Sequence, residues 1–427
     1  MATAPVFGTI DQRFSDEPLA TGPIDFSKIA FVSTSTGADD ILFPAGVSTD
    51  LASYKAVRFT SSDTTFTSKL GSGYLADAVR AVNAQLAPGS QAADITVIRC
   101  AEGTGADAAA KLAATMANVI KGLEALKYAP QKINATPRLV GVPGYTAQRT
   151  GTDANPVIAA LPEVLSALLA VAVVDVDDSS RDAAIDAREK IGSDRILPVG
   201  VAARVFDTDG TTVITRPMAP RILGLMTRVD FQSGGKPFEP FANRQIYGLV
   251  NTSRDIPFDL RDGSVEGQQL LAAEVSIVTQ GEVDIDGAIA DGGFVFIGTD
   301  NCASDGDLWQ QIHQVRGADY IDVEHMRITR LFLGRKISAS NAEAWINSLK
   351  FNLRDHKAAD DILGYKVEFK PDQNSPEQVR AGRLTTDLGI EEAPVFRVAK
   401  RNVRRYRQAV NDLVADIAAR INAAAIL

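Results

Sequence analysis

A chain of 427 residues is too long for one ordinary hydrophobic core and implies two or three domains. With 45% hydrophobic and 23% charged residues it has the balance of a folded protein, and a formal net charge of −9 argues against a protein built as a whole to coat nucleic acid or an anionic membrane. Two cysteines, Cys100 and Cys302, are too few for a disulfide framework or a metal site.

The first ten residues lack the basic start and apolar run of a secretory signal, so a soluble protein made in the cytoplasm is expected. Residues 1–22 have no helical period: "APVFGTI" has strand composition and "DEPLATGP" is turn and linker chemistry, which together read as an arm. Residues 23–105 read as a small α/β unit: strand "KIAFVSTS", amphipathic helix "GYLADAVRAVNAQLA" and strand "ADITVIRC". Residues 106–216 continue as an α/β domain. Helix "DAAAKLAATMANVIKGLEAL", strand "TPRLVGVPG", helix "NPVIAALPEVLSALLA", strand "VAVVDV", helix "DSSRDAAIDAREKIG" and strand "RILPVGVAARVFD" alternate, as in a mostly parallel sheet covered by helices. The most apolar stretch, 157–174, is interrupted by Pro162, Glu163 and Ser166 and fits a buried helix and strand better than a membrane span.

Residues 217–390 form the next domain. "APRILGLMTRVDF" suits a helix, "QSGGKPFEPFANRQIYGLVN" a loop, and "DGSVEGQQLLAAEVSIVTQ" followed by "GGFVFIGTDNCASD" another α/β segment. Residues 308–356 are expected to be mainly helical, with Trp309, Ile312, Val315, Trp345 and Leu353 on apolar faces, and "GYKVEFKP" and "GRLTTDLGI" to be strands. Residues 391–427 close the chain with a strand and a basic amphipathic helix, and no internal repeat or low-complexity tract is present.

Catalytic and metal chemistry find little support. His313, His325 and His356 lie far apart without zinc-ligand spacing. "DVDDSSRDAAID" from Asp175 has Ser180 and Asp186 where a calcium loop needs glycine and glutamate, so a solvated loop that caps the next helix is expected. "DTDG" at Asp207 and "DIDG" at Asp284 have turn composition. "EGTGADAAAK" lacks both the third glycine of a dinucleotide loop and the GK[ST] ending of a P-loop, and no GxSxG elbow occurs.

The strongest local signal is "KRNVRRYR", residues 400–407, with five basic side chains in eight positions of an acidic chain. A helix running from Val403 places Val403, Val410, Val414, Ile417 and Ile421 on one face, with Arg401, Arg404 and Arg405 pointing largely away. Cations at a helix N-terminus oppose the macrodipole by roughly 0.3–1 kcal/mol each, which suggests an acidic partner.

Several segments carry a resemblance in order and texture: "VIRCAEGTG", "TPRLVGVPG" at Thr136, "DGGFVFIGTDNCASD" at Asp291 and "VRAGRLTTDLGIEEAPVFRV" at Val379. On these the chain resembles the tail sheath proteins of contractile-tailed bacteriophages of the temperate myovirus type. The resemblance implies an α/β and α+β multidomain fold with helix-covered mixed sheets, and extended N- and C-terminal arms that add strands to neighbouring subunits. It implies a six-stranded helical homopolymer around an inner tail tube protein, bounded by baseplate and tail terminator proteins, with no cofactor and no direct contact to nucleic acid or membrane. Its place is the virion, after assembly in the host cytoplasm.

Carried onto this chain, the arm strands fall at Ala4, Pro5, Val6, Phe7, Gly8, Thr9 and Ile10, and at Val395, Phe396, Arg397 and Val398. Arg401, Arg404 and Arg405 then face acidic groups on the tube. In an oxidising medium, Cys100 and Cys302 at strand ends are candidates for an inter-subunit disulfide, with buried thiols as the alternative. Three other functions remain open: the sheath of a phage-tail-like bacteriocin or other contractile injector, a nucleotide-binding α/β enzyme using "EGTGADAAAK", and a nucleic-acid binder using the basic helix around Tyr406.

Overall fold

The computed structural model describes residues 24–149, 151, 153–304 and 306–424. Residues through Ala393 cluster into one compact unit, and Pro394–Leu427 form a second.

The first unit is organised by a six-stranded sheet made of β1 (Ile29–Thr34), β2 (Ala56–Thr60), β3 (Asp94–Cys100), β4 (Leu139–Gly141), β5 (Val171–Asp175) and β6 (Ile196–Val199), in the order β2-β3-β1-β4-β5-β6. All neighbours are parallel except β2, which runs antiparallel to β3 at the edge. Every residue of β1 and β5 is buried, which is why both read as unbroken apolar runs without alternation. Two helix pairs sandwich the sheet: Tyr74–Leu86 with Ala219–Gln232, and Ala108–Lys127 with Pro156–Leu168. The second pair approaches closely at Gly122, where an added methyl would lie 2.8 Å from both Cys100 Sγ and Val32 Cγ1.

Helix starts follow local chemistry. Asp107 accepts from the Ala110 amide, Asn155 from the Val157 and Ile158 amides ahead of Pro156, and Ser180 from the Ala183 amide. The "EGTG" and "DVDDSS" segments are therefore strand-to-helix turns ending in caps.

The sheet also corrects the sequence reading. Because β1 lies between β3 and β4, one sheet spans the boundary expected near residue 105. The single strand expected over "RILPVGVAARVFD" is two: β6 joins the large sheet, whereas β7 (Ala203–Phe206) turns through Asp207 and Gly210 into β8 (Val213–Arg216). The expected loop 232–251 holds β9 (Arg244–Ile246) and the start of β10 (Asn251–Thr252). Two three-stranded antiparallel sheets result, β10-β7-β8 and β11-β12-β9, with β11 at Ile277–Gln280 and β12 at Phe294–Ile297.

The first unit also contains the helix pair Ile312–Arg330 and Ala339–Ala358 with an antiparallel hairpin, β13 (Ile362–Glu368) and β14 (Asp387–Glu392). Among the described residues no helix is long and apolar enough to cross a membrane.

Candidate assembly surfaces

The β13–β14 hairpin is a sheet of only two strands. Its inner face rests on the helix pair: Ile362 buries with Ile321 and Leu353, and Tyr365, Val367 and Ile390 pack against them. A register shift between Ile362 and Gly364 inserts one residue into β13 and resets its alternation, so that Ile362, Tyr365 and Val367 all point inward. Leu363 is left on the outside, 59% exposed, whereas Leu388, paired with Val367 on the inner face, is still 39% exposed. Among the described residues neither outer edge pairs with a further strand. Two strands alone are marginal in water, and an open edge presents rows of unpaired N–H and C=O groups.

A buried ionic cluster anchors the hairpin at the start of β13. His356 bonds Asp361 through Nδ1 at 2.7 Å and Glu324 through Nε2 at 2.6 Å, while Lys236 reaches Asp361 at 2.7 Å and Asn352 donates to Glu324 at 2.8 Å. With a carboxylate at each nitrogen, the ring donates twice and is an imidazolium. Burial alone would lower its pKa, but the hydrogen bonds to Asp361 and Glu324 prevail and raise it to about 9. His325, buried with neither ring nitrogen bonded, is pushed down to about 4 chiefly by desolvation.

The sign of the linkage is set by His356's raised value. Its stabilisation is complete below the unfolded value of about 6.5 and is lost as pH rises through about 9. A shift of that size corresponds to roughly 3 kcal/mol. Hydrogen-exchange protection of β13 is accordingly expected to fall between pH 6.5 and 9 in the native chain, and to lose most of that dependence in His356→Gln. A native profile flat across this window refutes the anchor.

The same end of the hairpin, where Glu392 pairs with Ile362, is the root of the C-terminal segment. Glu392 is 5% exposed with Oε1 unbonded, and burial, aided by the charges of Glu391 and Asp322, pushes its carboxyl up to about 7. The next carbonyl, Ala393, contacts His313 Nε2 at 3.0 Å.

Beyond it the second unit begins. Val395, Phe396, Arg397 and Val398 lie in a segment without regular secondary structure, where Phe396 and Val398 are more than four-fifths exposed. The other arm strand, Ala4–Ile10, lies outside the described residues. The helix of this unit spans Gln408–Ala424 and does not start at Val403 as the periodicity suggests, so Arg401, Arg404 and Arg405 precede it. Lys400, Arg401, Arg404, Arg405 and Arg407 at helical spacing would repel one another and oppose the dipole, which favours starting the helix after them. None of the three arginines forms a salt bridge among the described residues. Within the helix Val410, Leu413, Val414, Ile417 and Ile421 share one face, and all are 46–64% exposed.

The cysteines are a further correction. Cys100 and Cys302 are 1% and 0% exposed, and burial raises both thiols, Cys302 to about 12. A bridge to a neighbour needs sulfur at the surface, and the folded subunit presents neither.

No protein-family profile matches the chain. It is 26% identical over 282 residues to a protein named as a prophage major tail sheath protein of Pseudomonas aeruginosa (strain UCBPP-PA14), covering 65% of this chain and 68% of that one. It is 23% identical over 377 residues to the tail sheath protein of Escherichia phage P2, covering 86% and 87%. Among solved structures, a chain of the anti-feeding prophage baseplate in its contracted state matches with a TM-score of 0.67 at 13% identity, over 95% of this chain and all of that one. A chain of the contracted PVC sheath complex, an extracellular contractile injection system, matches with a TM-score of 0.65 at 12% identity, over 96% and 99%. In sequence the chain is similar to tail sheath proteins of a phage and a prophage, and in fold to chains of contractile injection systems.

Proposed function

We propose that the chain is the structural subunit of a contractile phage tail sheath. It polymerises as a six-stranded helical array around an inner tube and contracts to drive that tube through the host envelope, delivering the genome. The observation that carries this reading is the two-stranded β13–β14 sheet with open edges, followed directly by a separate, extended segment. Strands donated by neighbouring subunits, from Ala4–Ile10 of one and Val395–Val398 of another, complete that sheet through main-chain hydrogen bonds. The linkers at their bases leave whole subunits free to rotate and slide. Head-to-tail exchange of this kind extends into a filament and does not close as a dimer. Arg401, Arg404 and Arg405, without a salt bridge among the described residues, meet acidic groups on the tube, and the apolar face of Gln408–Ala424 is covered in the same assembly. The mechanism requires no cofactor and no catalytic residue.

A second reading, the sheath of a contractile injector without a genome, is favoured by the likeness to the anti-feeding prophage and PVC chains. Negative-stain microscopy tests both: the purified chain is expected to form long, hollow, striated tubes. Antibody against it is expected to decorate tails of particles with DNA-filled heads in the first case and headless particles in the second. A chain that remains monomeric or closes into discrete oligomers at every concentration and salt refutes both.

A further inference from the structure

A cavity of about 300 Å³ opens among the helix Tyr74–Leu86, the β7–β8 hairpin and the start of the helix Ala219–Gln232. Three guanidinium groups line it at increasing depth: Arg80, whose side chain is 44% exposed, Arg216 at 27%, and Arg221, only 6% exposed as a residue. One carboxylate serves the outer two, since Asp77 takes Arg80 on Oδ1 and Arg216 on Oδ2. Both its oxygens are thereby engaged. Arg221 has no salt bridge among the described residues, and its Nε is buried without a hydrogen-bond partner. Asp175 acts on it at a distance, but Asp175 Oδ1 accepts the Met218 and Ala219 amides and its side chain lines the adjoining cavity. Burial pushes Arg221 down to about 10, which leaves it charged at neutral pH. A buried cation that opens into a cavity, with no directly bonded carboxylate among the described residues, calls for an anion.

The remaining walls decide which anion. Ile214 and Leu249 flank the arginines, and Phe206 stands 55% exposed at the mouth. Aliphatic walls penalise a heavily hydrated dianion and suit a planar carboxylate on a hydrocarbon stem, which a guanidinium fork receives bidentately. We propose that this cavity is a receptor for a carboxylate carried on a short apolar stem, with Arg221 as its floor and Arg80 as the outer guide. A free organic acid and an aspartate or glutamate side chain of a second copy offer the same group; the second source alone rests on the polymer reading above.

The test uses the full chain, unpolymerised, with butyrate as probe and arginine Nε–Hε resonances as readout. Butyrate is expected to shift the Arg221 resonance saturably, whereas inorganic phosphate and uncharged butyramide leave it in place. Arg80→Gln, at an exposed site where folding is secure, is expected to weaken butyrate by about threefold to tenfold. Arg221→Met is expected to leave the Arg80 and Arg216 resonances, which butyrate shifts in the native chain, unmoved by butyrate, while melting no lower than the native chain, because it removes a buried charge without a salt bridge among the described residues. An Arg221 resonance indifferent to butyrate, or an Arg221→Met chain that melts lower, overturns the proposal in favour of a water-filled cavity over a structural arginine. In polymers prepared without organic acid, an Arg221 shift at the butyrate-bound value assigns the carboxylate to a second copy. The unliganded value there assigns it to a free acid. Failure of the butyrate titration leaves the sheath reading untouched, since that step involves no polymer.

Discussion

Chains that end at Ala393 are expected to fold normally and to form no tubes. Among the described residues every hydrophobic side chain of the buried core lies at or before Ile362, and Glu392 is the last buried polar one, so cutting after Ala393 removes no buried residue. The compact unit itself closes at Ala393. The deleted stretch instead carries the groups that the proposed assembly uses: the segment around Val395–Val398, the basic run 400–407 and the exposed face of Gln408–Ala424. The shortened chain should melt within a few degrees of the full one, because surface changes away from packed features move stability by only about 0.5 kcal/mol. Sedimentation and negative-stain microscopy at polymerising concentration should show a monomer. A second chain also lacking residues 1–22 reports on the other arm. If the shortened chains stack into tubes as readily as the intact one, strand donation is not what joins the subunits.

Much of this fold is legible in the chain because period and burial agree. Val79, Val82 and Leu86 mark the buried stripe of one helix, and the unbroken "IAFVST" and "VAVVD" mark strands covered on both faces. The misreadings have physical causes. In "RILPVGVAARVFD" only Gly200, Val201 and Ala202 separate two strands of different sheets, and an apolar run has no signature for a change of sheet. β2 alternates as a half-buried edge strand should, Val57 and Phe59 in and Arg58 and Thr60 out, but at five residues it is too short to stand out. "KRNVRRYR" kept its helical spacing on paper, yet crowding five cations at a helix start outweighs it. The arms are an expectation drawn from composition and from resemblance. The open edges of β13–β14 are not, because an unpaired strand and a paired one have the same sequence; only topology shows which partner is missing. The same holds for Arg221, whose isolation arises from the two neighbours that occupy Asp77.

The interaction whose loss should cost the folded subunit most is the ion pair between Arg316 and Asp230. Their side chains are 2% and 1% exposed, and Arg316 meets both carboxylate oxygens, Oδ1 at 3.2 Å and Oδ2 at 2.5 Å. Burial raises the Asp230 carboxyl, and the charge and hydrogen bonds of Arg316 counter that. The pair joins the helix Ile312–Arg330 to the helix Ala219–Gln232 on the large sheet. One turn along the same helix a second pair reinforces it, since Asp319 binds Arg195 through both oxygens. This helix also supports β14 and supplies His313 to the Ala393 carbonyl, so the pair holds the platform from which the C-terminal segment departs. Asp230→Ala strands a guanidinium in the interior and is expected to destabilise by about 3–5 kcal/mol, read as a lowered denaturant midpoint. The double change Arg316→Met with Asp230→Leu removes both charges and is expected to recover most of that loss, because two apolar groups of similar volume avoid the desolvation penalty. Hydrogen exchange should find the Asp230→Ala loss concentrated in Ile312–Arg330 and β14, with the six-stranded sheet less affected. A loss below about 1 kcal/mol for the single change is the outcome expected of a solvent-screened surface pair and is incompatible with the buried platform described above.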